Sequence, residues 1–169
     1  GRNPSGEEPA RDLHALPDGV PFAHAGRVVP LAVSGRVIAW LDRDTPFPPL
    51  AAALVEPNGL LAAGGDLTPS RLVGAYRLGV FPWFSAGQPI LWWSPDPRMV
   101  LFVDEFRIPR SLGKRVRAGV FETRVDTAFN EVIEACAGTP RAGQGGTWIT
   151  PAIVKAYCAL HRLGYAHSV

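Results

Sequence analysis

The stretch from Gly59 to Leu101 constrains the fold of this chain more than any other. It reads GLLAAGGDLTPSRLVGAYRLGVFPWFSAGQPILWWSPDPRMVL and contains three tryptophans, Trp83, Trp92 and Trp93, among closely spaced prolines. Proline fixes φ and removes a backbone donor, so this density predicts neither an interior strand nor a helix. Rigid backbone that carries large flat rings is typical of a pocket or a stacking platform, and it also occurs in plain hydrophobic cores.

The composition of the chain is that of a globular protein. At 169 residues it is long enough for one sizeable domain or two small ones, and 47% of its residues are hydrophobic while 19% are charged. The formal net charge is only +2, so overall charge does not indicate nucleic-acid binding. Any basic binding site must therefore be local.

The cysteines and the hydropathy pattern indicate a cytoplasmic protein. Cys136 and Cys158 both fall on apolar helix faces, without the CxxC or Cys/His spacing of a zinc site. We interpret both as reduced core residues, with a disulfide as the alternative. No apolar run reaches the ~20 residues that span a bilayer, so we expect neither a membrane partner nor a secretion signal.

The first part of the chain predicts a disordered or upstream segment and then regular structure. Residues 1–36 are rich in glycine, proline and charge without a sustained period, which predicts disorder. Arg36–Leu41, RVIAWL, predicts a short strand. Thr68 followed by Pro69 predicts a helix start, and Gly79 predicts its end.

A second, larger domain is predicted over residues 98–169, after a small domain over residues 37–97. Arg98–Val103, RMVLFV, predicts a buried strand that opens the larger domain. Val120–Val125 and Tyr165–Val169 predict two further strands. Strands and helices alternate, so the predicted fold class is α/β or α+β.

Two amphipathic helices are predicted in the larger domain. Asp126 or Thr127 is the predicted N-cap of the first helix. Its apolar positions recur at helical spacing: Phe129, Val132, Ile133 and Cys136. Thr150 and Pro151 start the second helix, which ends at Gly164.

A run of basic residues precedes these helices. It has five members and no acidic residue: Arg107, Arg110, Lys114, Arg115 and Arg117. Four of them recur at three- and four-residue spacing, so a helix that starts after Pro109 would place them on one face. A basic helix face is commonly only a solvated surface. It also suits a polyanion, which would supply the missing counter-charge.

The remaining polar residues form no recognisable catalytic set. Two histidines lie outside the N-terminal segment, and we interpret His161 as a structural hydrogen-bonding residue rather than a catalytic one. The carboxylates show no paired spacing for acid–base work and are interpreted as solvated or capping groups: Asp66, Asp96, Glu131 and Glu134.

The most distinctive sequence motifs of the chain lie in five segments: EPNGLLAAGGDL, AYRLGVFPWFS, QPILWWSPDPR, GTWIT and LHRLGYAHSV. Together they resemble the bacterial leucyl/phenylalanyl-tRNA–protein transferases, from about Ile38 to Val169. The resemblance implies a GNAT-like acyltransferase domain behind a small N-terminal domain. It also implies transfer of leucine or phenylalanine from charged tRNA to proteins with an N-terminal Arg or Lys, which marks them for degradation, without a metal or a diffusible cofactor.

The resemblance further implies roles for individual residues. Trp83 in FPWF and Trp148 in GTWIT match positions whose rings shape the aminoacyl pocket and stack on the terminal adenosine of the tRNA. Tyr76 and Tyr157 match nearby aromatic positions. We therefore expect Trp83 and Trp148 to line one apolar pocket. The basic residues that match the family's contact with the tRNA acceptor stem are Arg110, Lys114, Arg115 and Arg117.

No catalytic residue is expected within this chain, because the resemblance implies that the catalytic carboxylate and Asp/Gln groups lie beyond Val169. We therefore expect a monomeric fragment that does not catalyse the transfer alone, with an unpaired sheet edge near Tyr165–Val169. Two alternatives remain open. One is an acetyl-CoA-dependent N-acetyltransferase of the GNAT type, and the other is a non-catalytic tRNA-binding module.

Overall fold

The computed structural model describes residues 31–33, 36–140 and 147–169. Predictions for residues 1–30, 34–35 and 141–146 lie outside the described residues. Residues 31–33 were included in the segment predicted to be disordered, and this part of the prediction is wrong because they form a paired strand. The fold class is mixed α and β, as predicted.

Within the described residues, a five-stranded mixed sheet carries the hydrophobic core. Its strands are β1 (Leu31–Val33), β2 (Arg36–Leu41), β3 (Leu60–Gly64), β4 (Phe81–Pro82) and β5 (Leu91–Trp93), in the spatial order β1-β2-β3-β5-β4. The pair β2 and β3 is parallel, and the other pairs are antiparallel. The strand predicted at Arg36–Leu41 is confirmed.

The tryptophan-rich stretch lies inside this sheet rather than outside it. β5 contains Trp92 and Trp93 and pairs with β3 on one side and β4 on the other. The prediction that the prolines exclude an interior strand is therefore wrong. The physical reason is that β5 is only three residues long and contains no proline, so its backbone donors remain available between Pro89 and Pro95.

The core is organised around β3, which is buried along its whole length. Leu60 and Ala63 pack in one cluster with Leu91. Leu61 and Ala62 belong to a second cluster with Trp92, a fully buried side chain. The indole Nε1 of Trp92 donates to the carbonyl oxygen of Gly64 at 2.9 Å, so the largest core ring is fixed by its polar atom as well as by packing.

The described residues form four α-helices: α1 (Pro69–Arg77), α2 (Arg110–Arg117), α3 (Phe129–Gly138) and α4 (Pro151–Arg162). The Thr68 and Thr150 side chains cap α1 and α4, accepting hydrogen bonds from Arg71 N and Ile153 N. Both Thr-Pro predictions are confirmed. Two 3₁₀ turns, Leu50–Ala52 and Val103–Glu105, complete the regular structure of the described residues.

The N-cap of α3 differs from the prediction. Ala128 occupies the cap position and makes no side-chain cap hydrogen bond. The carboxylate of Asp126 is instead bonded to the backbone N–H of Ser168 at 2.9 Å and to the His167 ring at 2.6 Å. A long-range partner has therefore replaced the local cap.

Three predicted strands do not form. Residues 98–102, 120–125 and 165–169 adopt no strand conformation, and many apolar side chains of the first two segments are exposed, as Met99 at 98% and Phe121 at 75% illustrate. An apolar run becomes a strand only when a neighbouring strand accepts its backbone hydrogen bonds. Within the described residues, none of these three segments has such a neighbour.

Candidate functional site

An apolar cavity of about 820 Å³ lies among α1, α3, α4 and the residues that follow α4. The side chains that line it are mostly aromatic or aliphatic, including Val73, Tyr76, Phe129, Ile133, Trp148, Ile149, Ile153, Tyr157 and Leu160. A volume of several hundred Å³ is typical of sites for small molecules or side-chain-sized groups. The cavity is therefore the candidate binding site of this chain.

Capping chemistry at the start of α4 positions one wall. Trp148 lies two residues before the Thr150 cap, and Tyr157 lies two turns into the helix. The rings of Trp148 and Tyr157 meet edge to face, with centroids 6.3 Å apart and an interplanar angle of 72°. Ile153 is buried in the cluster that includes β3 and β5, so α4 is anchored to the sheet beside the cavity.

A pair of phenols connects this wall to α1. The hydroxyl groups of Tyr76 and Tyr157 share a hydrogen bond. Burial raises the pKa of both phenols, and it outweighs the opposite effect of the shared hydrogen bond on the pKa of Tyr76. Both tyrosines are therefore uncharged at physiological pH. The wall they form is neutral and apolar, with one internal polar contact.

Three of the four predicted pocket residues line the cavity, namely Tyr76, Trp148 and Tyr157. Trp83 is not among the lining residues. It follows β4, where its N–H donates to the carbonyl oxygen of Leu91 at 2.9 Å and its own carbonyl oxygen accepts from Nε1 of Trp93 at 2.7 Å. The expectation that Trp83 and Trp148 share one pocket therefore stays a prediction.

The opposite wall comes from α3 and the chain end, which the sequence did not assign to the site. Phe129, Ile133 and Cys136 line the cavity from α3, and Tyr165 and His167 line it after α4. The helical spacing of the apolar residues in α3 could have identified these cavity-lining residues, because the apolar face of an amphipathic helix packs against another part of the protein. Both cysteines are free, but Cys136 is exposed, so its prediction as a core residue is wrong.

The predictions for two polar residues are confirmed, one on α4 at the edge of the cavity and one just before α1. His161 is a structural hydrogen-bonding residue, because its Nδ1 lies 2.8 Å from the carbonyl oxygen of Ala166 and its ring stacks on Phe129 at 4.2 Å. Asp66 accepts hydrogen bonds from the backbone and the hydroxyl of Thr68, at 3.0 and 2.6 Å. Both side chains therefore stabilise local structure.

The basic run forms a solvent-facing helix. Four of its members lie on α2, and all four are exposed: Arg110, Lys114, Arg115 and Arg117. In the described part of the chain, no ion pair involves an α2 side chain. Three of the cations occupy the last turn, where the negative end of the helix dipole favours them. The arrangement is compatible with a solvated face and with a phosphate-binding surface.

Within the described ranges, no group of three or more His, Cys, Asp or Glu side chains could hold a metal ion. None of the helices in the same ranges is long and apolar enough to cross a membrane.

Two family models match regions of the chain that contain α1, β4, β5 and the residues that line the cavity. Residues 65–96 match a model described as the leucyl/phenylalanyl-tRNA protein transferase N-terminal domain. Residues 100–169 match the model described as leucyl/phenylalanyl-tRNA protein transferase. These two ranges contain Tyr76, Trp148 and Tyr157.

Curated relatives agree with these matches. A leucyl/phenylalanyl-tRNA–protein transferase of Chromobacterium violaceum is 61% identical over 132 residues, which are 78% of this chain and 56% of the relative. The transferase of Nitrosomonas europaea is 60% identical over 79% of this chain and 56% of its own length, and that of Pseudomonas fluorescens is 62% identical over 79% and 59%.

The matched regions and the relatives therefore place the chain in a family of transferases. The chain belongs to the leucyl/phenylalanyl-tRNA–protein transferase family. It spans a little over half the length of the curated relatives that it matches.

Proposed function

We propose that this chain is part of an aminoacyltransferase that moves leucine or phenylalanine from aminoacyl-tRNA to proteins whose N-terminal residue is Arg or Lys. The observation that carries the proposal is the apolar cavity walled by Trp148, Tyr157 and Tyr76 within the family-matched regions. The substrates are Leu-tRNA, Phe-tRNA and the acceptor protein. Modification of the acceptor would mark it for degradation in the cytoplasm, where charged tRNA is available.

The cavity suits the side chain of the transferred amino acid. Its walls are apolar and its two phenols are neutral, so burial of a leucyl or phenylalanyl side chain contributes roughly 1.5–3 kcal/mol. Rigid aromatic walls also discriminate by shape. A misplaced methyl group of a β-branched side chain would cost about 1–3 kcal/mol.

The proposed reaction needs little chemistry from the pocket itself. The α-amine of the acceptor attacks the carbonyl carbon of the aminoacyl ester, the peptide bond forms, and the ester C–O bond breaks to release the tRNA hydroxyl. Because the ester is already activated, proximity and stabilisation of the oxyanion are the main requirements, and no cofactor is needed. Tyr76 and Tyr157 do not serve as the base that takes the amine proton, because burial raises the pKa of both.

The two matched ranges support a division of the chain into two domains. Residues 37–97 form a small N-terminal domain, and residues 98–169 contribute to a GNAT-like domain. The protein is proposed to act as a monomer. Trp83 is proposed to contact the terminal adenosine rather than the aminoacyl side chain, since it lies outside the cavity.

The exposed cations of α2 are the proposed contact with the tRNA acceptor stem. They carry no partner carboxylate among the described residues, so phosphates can approach them directly. Each phosphate contact that is lost should reduce the slope of log K against log salt by about 0.9. Lys114→Ala should therefore weaken tRNA binding and flatten its salt dependence, whereas Lys155→Ala, on α4, is the matched control.

The transfer assay tests the proposal with a full-length protein. In a chimera, residues of this chain replace the matched region of the Chromobacterium violaceum relative. The assay follows labelled leucine from Leu-tRNA to a peptide that begins with Arg. Trp148→Ala should raise KM for Leu-tRNA by roughly tenfold or more while the chimera stays folded. Transfer that survives Trp148→Ala unchanged would refute the role of the cavity. A chimera that transfers no leucine, or that acetylates the peptide from acetyl-CoA instead, would refute the proposed function.

A further inference from the structure

Asp126 has an unusual backbone conformation and an unusual set of partners. Among the described residues it is the one non-glycine with a positive φ, at 58°. Its N–H donates to the carbonyl oxygen of Ser168 at 2.9 Å, and its carboxylate accepts from the N–H of Ser168 at 2.9 Å. The other carboxylate oxygen lies 2.6 Å from Nδ1 of His167. One residue thus holds two consecutive residues that lie 41 and 42 positions away.

These contacts act on one wall of the cavity. His167 and Ser168 both line the cavity, and Ser168 is buried although the neighbouring chain is not. His161 supports the same segment from α4 by bonding to the carbonyl oxygen of Ala166 and stacking on Phe129, which is itself a lining residue. In the described structure, the wall formed by Ala166–Ser168 therefore depends on a few hydrogen bonds and one ring contact, and not on a sheet ladder.

The conformation and the chemistry of Asp126 require the same residue type. Aspartate and asparagine enter the left-handed region more readily than other residues with a side chain. The carboxylate also carries charge, since the hydrogen bond from His167 lowers the pKa of Asp126 and the same contact raises the pKa of His167. A non-glycine residue that adopts this sparsely populated conformation beside a binding cavity points to a role at that cavity.

We propose that Asp126 is a positioning residue for the aminoacyl-binding cavity, because its backbone and carboxylate fix His167 and Ser168 as one wall. This inference rests on the proposed function, which identifies the bound group as the aminoacyl side chain. Asp126 itself touches no substrate in this scheme. It acts through the wall, so its loss should affect how well the cavity holds the aminoacyl side chain more than how fast the bound ester reacts.

The test compares three substitutions in the full-length chimera. Asp126→Gly accepts the positive φ but removes the carboxylate, so it separates lost contacts from backbone strain. Asp126→Asn accepts the positive φ and keeps an oxygen for the Ser168 N–H, but it loses the charge that faces His167. Glu122→Gln is the matched control, because Glu122 pairs only with the exposed Arg124 in the described structure and does not line the cavity.

Two readouts distinguish positioning from simple stabilisation. Amide hydrogen exchange at Ser168 reports the wall without reference to any activity, and it should accelerate roughly tenfold in Asp126→Gly. KM for Phe-tRNA should rise about fivefold in Asp126→Gly with kcat nearly unchanged, and Asp126→Asn should recover much of this loss. Glu122→Gln should change neither readout.

The proposal is overturned if Ser168 exchange in Asp126→Gly matches the parent, or if exchange accelerates while KM stays the same. A fall in kcat with unchanged KM would also overturn it. If the parent chimera transfers no amino acid, the proposed function fails, and binding of an amide analogue of phenylalanyl-adenosine replaces KM as the second readout. Unchanged affinity for that analogue in Asp126→Gly would then reject the positioning role.

Discussion

Gly59 joins the turn before β3 to the residues after β5, and alanine at this position should be strongly destabilising. Its φ is +88°, its N–H donates to the carbonyl oxygen of Leu54 at 2.8 Å, and its carbonyl oxygen accepts from the N–H of Ser94 at 2.7 Å. A Cβ on Gly59 would lie 2.4 Å from both Cα and N of Pro95 and 2.7 Å from the carbonyl carbon of Ser94. All three are backbone atoms, so no side-chain rotation can relieve the clash.

The magnitude follows from two contributions. The positive φ alone costs alanine about 1–2 kcal/mol. To remove the clash, the chain after β5 must also move away from β3, which loses the hydrogen bond between Ser94 and Gly59 and opens the packing around Trp93, for roughly 2–4 kcal/mol more. We therefore expect Gly59→Ala to lower the free energy of unfolding by roughly 3–6 kcal/mol.

Gly87→Ala is the matched control for backbone strain. Gly87 has nearly the same φ, +84°, but a Cβ there would meet no heavy atom within 4 Å. Its cost should be confined to about 1–2 kcal/mol. Urea unfolding of the parent and both variants, followed by tryptophan fluorescence, measures the difference directly. Equal losses in the two variants would refute the steric argument and would mean that φ alone determines the cost.

Further predictions concern a helix cap and a pH-dependent pair. Thr150→Ala should lower the free energy of unfolding by about 1 kcal/mol, because it removes the side-chain acceptor of Ile153 N. Thr150→Ser keeps the hydroxyl and should retain most of this stabilisation. Urea unfolding measures both variants, and an equal loss in the two would contradict the role of the hydroxyl. Asp126→Asn should lower Tm more at about pH 6 than at about pH 9, and equal shifts at both pH values would contradict a charged pair. The sign follows from the raised pKa of His167, because its contribution is complete below the usual value of 6.5 and is lost as pH rises through the raised pKa. The pKa of Asp126 is lowered, so the contribution is present above its usual value of 3.8 and is lost as pH falls through the lowered pKa.

The sequence correctly predicted those elements that local interactions alone are sufficient to form. Thr68 and Thr150, each followed by proline, cap helices that begin at the predicted residue. A threonine cap and the fixed φ of proline act within one turn, so no distant contact is needed. The basic segment after Pro109 is helical for a similar reason, since α2 starts at the residue after that proline.

Strands were harder to predict because a strand depends on partners that are distant in sequence. RMVLFV at 98–103 has the composition of a buried strand, yet within the described structure no strand pairs with it and Val103 is 90% exposed. β5 shows the opposite error, because nearby prolines suggested exclusion from the sheet while three residues without proline pair on both sides. Composition indicates the preference of a segment, and pairing decides the outcome.

The candidate site shows the same division between local and long-range information. Tyr76, Trp148 and Tyr157 were expected from family resemblance, and they line one cavity. Their roles remain predictions. The wall at His167 and Ser168 was not foreseen, because its anchor Asp126 has the residue type of a helix cap and sits just before α3. In a helix cap and in this long-range contact alike, the carboxylate oxygens of Asp126 accept hydrogen bonds, so the sequence could not distinguish the two roles.

α4 connects the two walls of the cavity and determines how they respond to substitution. One side of the helix reaches α1 through the hydroxyl contact of Tyr157, and its last turn supports Ala166 through His161. Ile153 anchors the same helix to the sheet cluster. The first wall is anchored by the buried side chain of Ile153, whereas the second is held by hydrogen bonds that are exposed or only partly buried. Local opening should therefore begin at the second wall. The part of the cavity nearest Asp126 can therefore loosen while the aromatic part stays assembled, which is why its positioning contacts matter for binding.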